Sequence, residues 1–77
     1  MLPSSTVENY LKALHQAEAS MGNATLVPMG QLANAVGVAP GTATTMVKAL
    51  AESGLVEYEP YVGVRLSLAG TRLATLV

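Results

Sequence analysis

The chain is predicted to be a small, mainly helical domain with one β-hairpin, in the order helix, helix, helix, hairpin, helix. Three observations predict it. Apolar residues recur at helical spacing in three separate segments before residue 55. From Leu55 onward the apolar period changes to two, as in half-buried strands. Glycine or proline stands at the joints: Gly22, Pro28, Gly37, Pro40, Gly54, Pro60 and Gly63.

The first helix is predicted from Ser5 to Met21. Ser5 and Glu8 have the spacing of a capping box. Val7, Tyr10, Leu11, Leu14, Ala17 and Met21 make one apolar stripe, and Gly22-Asn23 ends it. Thr25-Leu26-Val27 is short and β-prone. Pro28 suits the first position of the second helix, where a missing N–H costs nothing. Leu32, Ala33 and Val36 form its inner face and Gly37 stops it. Pro40 starts the third helix in the same way, over about residues 40–53. Its inner face is Ala43, Met46, Val47 and Leu50, and Gly54 followed by Leu55 ends it. Val56 and Tyr58 then alternate with Glu57 and Glu59. Beyond Pro60-Tyr61-Val62-Gly63, the apolar Val64, Leu66 and Leu68 alternate with Arg65 and Ser67. Ser67 is placed to N-cap a last helix over residues 68–77, packing through Leu73, Leu76 and Val77.

Two helices separated by about three residues, glycine included, form a helix-turn-helix. The following hairpin makes it a winged helix-turn-helix. Leu32, Val36, Val38, Ala43, Met46 and Val47 lock the pair, and the small Ala33 permits close approach. Pro40, Gly41, Thr42, Thr44, Thr45 and Lys48 are left to project outward from the start of the second helix of the pair. A recognition helix contacts base edges with its N-terminal residues. Threonine offers a hydroxyl and a methyl for that purpose, and Lys48 suits a phosphate.

Composition narrows the function. Seventy-seven residues make one domain, 1–77. With 51% hydrophobic and 12% charged residues the chain is neither disordered nor a coiled coil. Without cysteine it has no disulfide, thiolate zinc site or thiol nucleophile, and with His15 as its one histidine it cannot assemble a catalytic triad. It is not expected to be an enzyme. Glu57 and Glu59 share one solvated strand face and are not a catalytic pair. The first residues lack a signal-peptide pattern, and no apolar run reaches the ~18 residues of a membrane span. A soluble, cytoplasmic protein without membrane contact is expected.

The segment over residues 5–76 resembles the N-terminal domain of the diphtheria-toxin-repressor family, the iron- and manganese-dependent transcriptional regulators. The resemblance is carried by VENYLKAL, by QLANAVGVAPGTATTMVKALAESGLVEYE and by GVRLSLAGTRLA. It implies a homodimeric, metal-activated repressor on palindromic double-stranded operator DNA, with this chain the N-terminal fragment of a longer regulator. The DNA-contact positions then fall on Ala39, Pro40, Gly41, Thr42, Thr44, Thr45 and Lys48. The wing positions fall around Tyr61, Val62, Gly63 and Arg65, with Arg65 the phosphate anchor. Ala39 stands where many relatives have Ser or His, so a side-chain cap or phosphate contact is missing there. Fe2+ or Mn2+ is implied for the full-length family member. The first-helix metal positions match Asn9, a weak oxygen ligand, and Lys12, which does not coordinate while charged.

Two other readings compete: a winged helix used for protein–protein contact, and a metal-independent regulator. His15 reads as a structural residue, and Met21, Met29 and Met46 as core fillers. The four basic and five acidic residues give a formal net charge of −1, which by itself argues against nucleic acid. Their positions argue otherwise: Lys48 and Arg65 fall on the expected DNA face, while Glu8, Glu18, Glu57 and Glu59 fall on the first helix and the first strand. Few phosphate-facing cations per copy imply weak binding by one copy, and hence a dimer.

Overall fold

The computed structural model describes residues 5–22 and 26–76. It contains α1 (Ser5–Met21), α2 (Met29–Val36), α3 (Pro40–Glu52), β1 (Val56–Glu59), β2 (Gly63–Leu66) and α4 (Leu68–Leu76). The expected order of elements is the observed one, and the architecture is a winged helix. The expectations for Asn23, Thr25 and Val77 lie outside the described residues.

Tyr10, Leu11 and Leu14 of α1, Leu32 and Ala33 of α2, and Ala43, Val47 and Leu50 of α3 are buried in one shared core. Val56, Val64 and Leu66 of the hairpin and Ala74 of α4 complete the core. Val36 and Met46, expected on inner faces, are half-buried at its margin. Burial of the Tyr10 ring removes water from its hydroxyl and raises the phenol's pKa.

Both inner helix ends close by the same device. Val38 N–H donates to the Ala33 carbonyl (3.0 Å) and Gly37 N–H to that of Asn34 (3.3 Å). Leu55 N–H donates to the Leu50 carbonyl and Gly54 N–H to that of Ala51, both at 3.0 Å. These are Schellman closures, which need a left-handed residue, and Gly37 has φ 77°. Pro28 lies one residue earlier than expected. Its ψ of 143° is extended, so it precedes α2 and its carbonyl accepts the Leu32 N–H. Pro40 is the first residue of α3, as expected.

β1 and β2 pair antiparallel, with Val56 opposite Leu66 and Glu59 opposite Gly63. Val27 adds a third, one-residue rung. Its N–H donates to the Val64 carbonyl (2.7 Å) and its carbonyl accepts the Val64 N–H (2.9 Å). Gly63 is required beneath that rung: a Cβ there would collide with the Val27 carbonyl, and its φ is 156°.

α4 is entered through Ser67. The Ser67 hydroxyl accepts the Gly70 N–H (3.1 Å) and donates to the Gly54 carbonyl (2.6 Å), so the expected cap also ties α4 to the end of α3. The expected packing of α4 through Leu76 is corrected. Gly70 and Ala74 are its buried residues, Leu73 is half-buried, and Leu76 is 81% exposed. A Cβ at Gly70 would strike the Leu55 carbonyl. The helix therefore lies close to Leu55 at Gly70, where a side chain does not fit; Leu73 packs against the core margin as expected, and Leu68 and Leu76 face outward. Leu68, read as a continuation of the apolar strand pattern, is the first residue of α4 and 73% exposed.

Candidate nucleic-acid interface

The turn at Gly37, Val38 and Ala39 delivers the chain to the start of α3. Ala39 is extended (φ −68°, ψ 150°) and caps α3 without a side-chain hydrogen bond, as its methyl dictates. Pro40, Gly41, Thr42, Thr45, Lys48 and Ala49 are exposed; Thr44 is half-buried. Because residues four apart stack on one helical face, Gly41, Thr45 and Ala49 form its midline. A Cβ added at Gly41 would meet nothing within 4 Å, so no packing inside the chain requires glycine there.

The threonines are not equivalent. The Thr44 hydroxyl donates to the Pro40 carbonyl (2.9 Å), and the Thr45 hydroxyl to the Gly41 carbonyl (3.1 Å). Each therefore spends its single proton inside the helix. The Thr42 hydroxyl has no partner among the described residues. Lys48 is exposed one turn on and makes no ion pair among the described residues.

In the wing, Val62 N–H donates to the Glu59 carbonyl (3.1 Å) and closes a tight turn through Pro60 and Tyr61. Tyr61 holds φ at 67°, where glycine or asparagine is usual. For a tyrosine this conformation costs on the order of 1 kcal/mol. The side chain is fully exposed, so no packing within the chain offsets that cost. Arg65, expected as a phosphate anchor, is exposed but engaged: its Nε donates to Glu57 Oε1 at 2.7 Å. Such an exposed pair contributes roughly 0–1 kcal/mol and is readily exchanged for another anion.

The root of the wing is held by a residue that the sequence reading did not single out. The N–H groups of Val64 and Leu66 lie on the edge of β2 away from β1. Val27 takes the first, and a carboxylate oxygen of Glu18 takes the second at 2.7 Å. Glu18 is the buried charged residue of α1, and its carboxylate stands where a neighbouring strand's carbonyl would. A signal was present: with Leu11 and Leu14 it continues the i, i+3, i+7 stripe, so an acid sits where an apolar residue is expected.

A polar cleft of about 410 Å³ between α1, β2 and α4 is lined by residues that include His15, Glu18, Glu57 and Arg65. Its carboxylates already have the partners just described. Asn9 and Lys12 are exposed on α1. Among the described residues no group of three or more histidine or carboxylate side chains is placed to hold a metal ion. These residues therefore do not fit the implied iron or manganese site by themselves. No helix among them is long and apolar enough to cross a membrane.

Residues 2–64 match the family model described as "Iron dependent repressor, N-terminal DNA binding domain". The match spans α1, α2, α3, β1 and the start of β2. No curated protein matches the chain.

Proposed function

The chain belongs to the family of iron-dependent repressors, as an N-terminal DNA-binding domain, and from that premise we propose how it works. It binds double-stranded operator DNA sequence-specifically, with the N-terminal half of α3 in the major groove and the wing beside it. The contact residues are Ala39, Pro40, Gly41, Thr42, Thr44, Thr45 and Lys48, with Tyr61 and Arg65 from the wing. The family is one of DNA-binding regulators, not of enzymes. The supporting observation is the outward face of α3, which is exposed and built from small or hydroxylated residues with the cation Lys48. A protein-docking face would be expected to carry aromatic or large apolar anchors there. The exposed leucines, Leu68 and Leu76, lie on α4 instead.

The operator is palindromic and the working unit a homodimer. With one unpaired cation at the recognition helix, each copy releases few counterions, roughly 0.9 log unit of salt dependence per phosphate contact. Two copies on half-sites about one DNA turn apart supply what one lacks. Repression in response to Fe2+ or Mn2+, as part of a longer cytoplasmic regulator, is the reading that family membership favours. The donors for that ion come from outside the described residues, since exposed Asn9 offers one neutral oxygen.

Fluorescence-anisotropy titration of promoter duplexes, at several salt concentrations and with or without Mn2+ or Fe2+, tests this reading. Lys48→Ala should weaken all sequences alike and lower the salt slope by about one unit. An unchanged slope removes Lys48 from the phosphate contacts. Binding that ignores both sequence and salt removes the DNA reading.

A further inference from the structure

We propose that α3 reads thymine through the methyl group of Thr45, and that its hydroxyls play no part as donors to bases at Thr44 and Thr45. This rests on the DNA-binding reading above and specifies what that face recognises.

Thr45 lies at the middle of the outward face, with Gly41 one turn before it and Ala49 one turn after, all three exposed. Its hydroxyl proton is committed to the Gly41 carbonyl at 3.1 Å, and that of Thr44 to the Pro40 carbonyl at 2.9 Å. Donating to guanine O6 or N7, adenine N7 or thymine O4 would first require breaking that helical bond. Bidentate reading of guanine takes Arg or Lys, and of adenine Asn or Gln. Residues 39–52 contain no Arg, Asn or Gln. Lys48 is the remaining cation, and it lies a turn beyond the N-terminal residues that reach the bases.

What remains on the midline within reach of the bases is the methyl group of Thr45. The thymine C5-methyl is the apolar group that a base pair displays in the major groove. Gly41 extends the argument. No internal contact calls for glycine there, and the absent Cβ leaves open space beside Thr45. A base edge therefore approaches α3 to backbone distance, close enough for a side chain as short as threonine to touch it. Thr42, with its free hydroxyl, is left to the sugar-phosphate backbone.

The test starts by enriching a preferred duplex from a random pool at low salt, with two copies of the chain held together by a fused dimerising coiled coil, so that weak binding by one copy does not decide the outcome. Each thymine of that duplex is then replaced by deoxyuridine, which removes the C5-methyl and nothing else. At one thymine or more per half-site, affinity should fall about three- to fivefold, the worth of one buried methyl. Thr45→Val keeps the methyl and removes the hydroxyl; it should bind within about twofold of wild type and keep its sensitivity to deoxyuridine. Thr45→Ser keeps the hydroxyl and removes the methyl; it should lose about three- to fivefold and become indifferent to deoxyuridine. Thermal melting of both variants confirms that an exposed site has been changed without loss of the fold. Loss of preference in Thr45→Val with its retention in Thr45→Ser would overturn the proposal, as would a duplex in which no deoxyuridine matters. Both results leave the DNA reading standing. Failure of wild type to enrich any sequence takes down the DNA reading and this proposal together.

Discussion

The outward face of α3 and the root of the wing solve opposite problems. On α3 the hydroxyls of Thr44 and Thr45 are satisfied within the helix itself, by bonding back to Pro40 and Gly41. Nothing from elsewhere in the chain is needed to hold them. The wing root is held by three partners on both edges of β2: β1 along one edge, and on the other Val27 against Val64 and Glu18 against Leu66. The surface assigned to DNA is therefore free to change without cost to the fold. The wing root tolerates almost nothing, while the wing's tip at Tyr61 is exposed and strained.

One substitution type breaks the two regions in opposite directions. Gly63→Ala forces a Cβ into the Val27 carbonyl. It should cost about 3 kcal/mol, at the upper end of overpacking, and remove much of the thermal transition of so small a domain. Next in size, Glu18→Leu orphans the buried Leu66 N–H. A loss of about 1–3 kcal/mol in urea unfolding is expected, with Glu18→Gln recovering part of it because an amide oxygen still accepts that bond. Equal losses in the two variants would mean that the carboxylate acts through something other than this hydrogen bond.

Gly41→Ala should do the reverse of Gly63→Ala. It replaces glycine in an exposed helical turn with open space around it, so stability should rise by about 0.5–1 kcal/mol while DNA affinity falls. A variant that is both more stable and equally tight on DNA would show that the backbone of α3 is not closely approached. The smallest effect is expected from Glu57→Gln, which releases Arg65 from its exposed pair. Stability should change by less than about 1 kcal/mol. If Arg65 then takes a phosphate, the salt slope should steepen by roughly 0.9.

What could be read from the sequence follows from how local each cause is. The helix ends at Gly37 and Gly54 and the cap at Ser67 were legible because each is decided within about six residues. The pairing of α2 and α3 and the hairpin after it followed from changes of period. The α4 packing was misread because leucines draw the eye to Leu76. Its inner face is set instead by how near the Leu55 carbonyl lies to Gly70, and it carries Gly70 and Ala74 with Leu73 at the margin. Glu18 was legible as a position and not as a role. An acid on an apolar stripe announces itself, but its partner lies 48 residues further along the chain. The threonines were legible as a polar face; whether their hydroxyls point to a partner or back to the helix is a rotamer choice that spacing does not encode.

The Glu18–Leu66 hydrogen bond also sets how the protein breathes. A two-stranded hairpin by itself opens easily, and its edge amides exchange with solvent through local fraying. Here the edge amides of Val64 and Leu66 are closed by groups from Val27 and α1. Their deuterium uptake should therefore follow the unfolding of the whole domain. The amide of Val62, one turn away at the wing tip, should exchange orders of magnitude faster. A protein scored only by its strand count would be expected to lose its wing first; this one should keep the wing's root until α1 itself lets go.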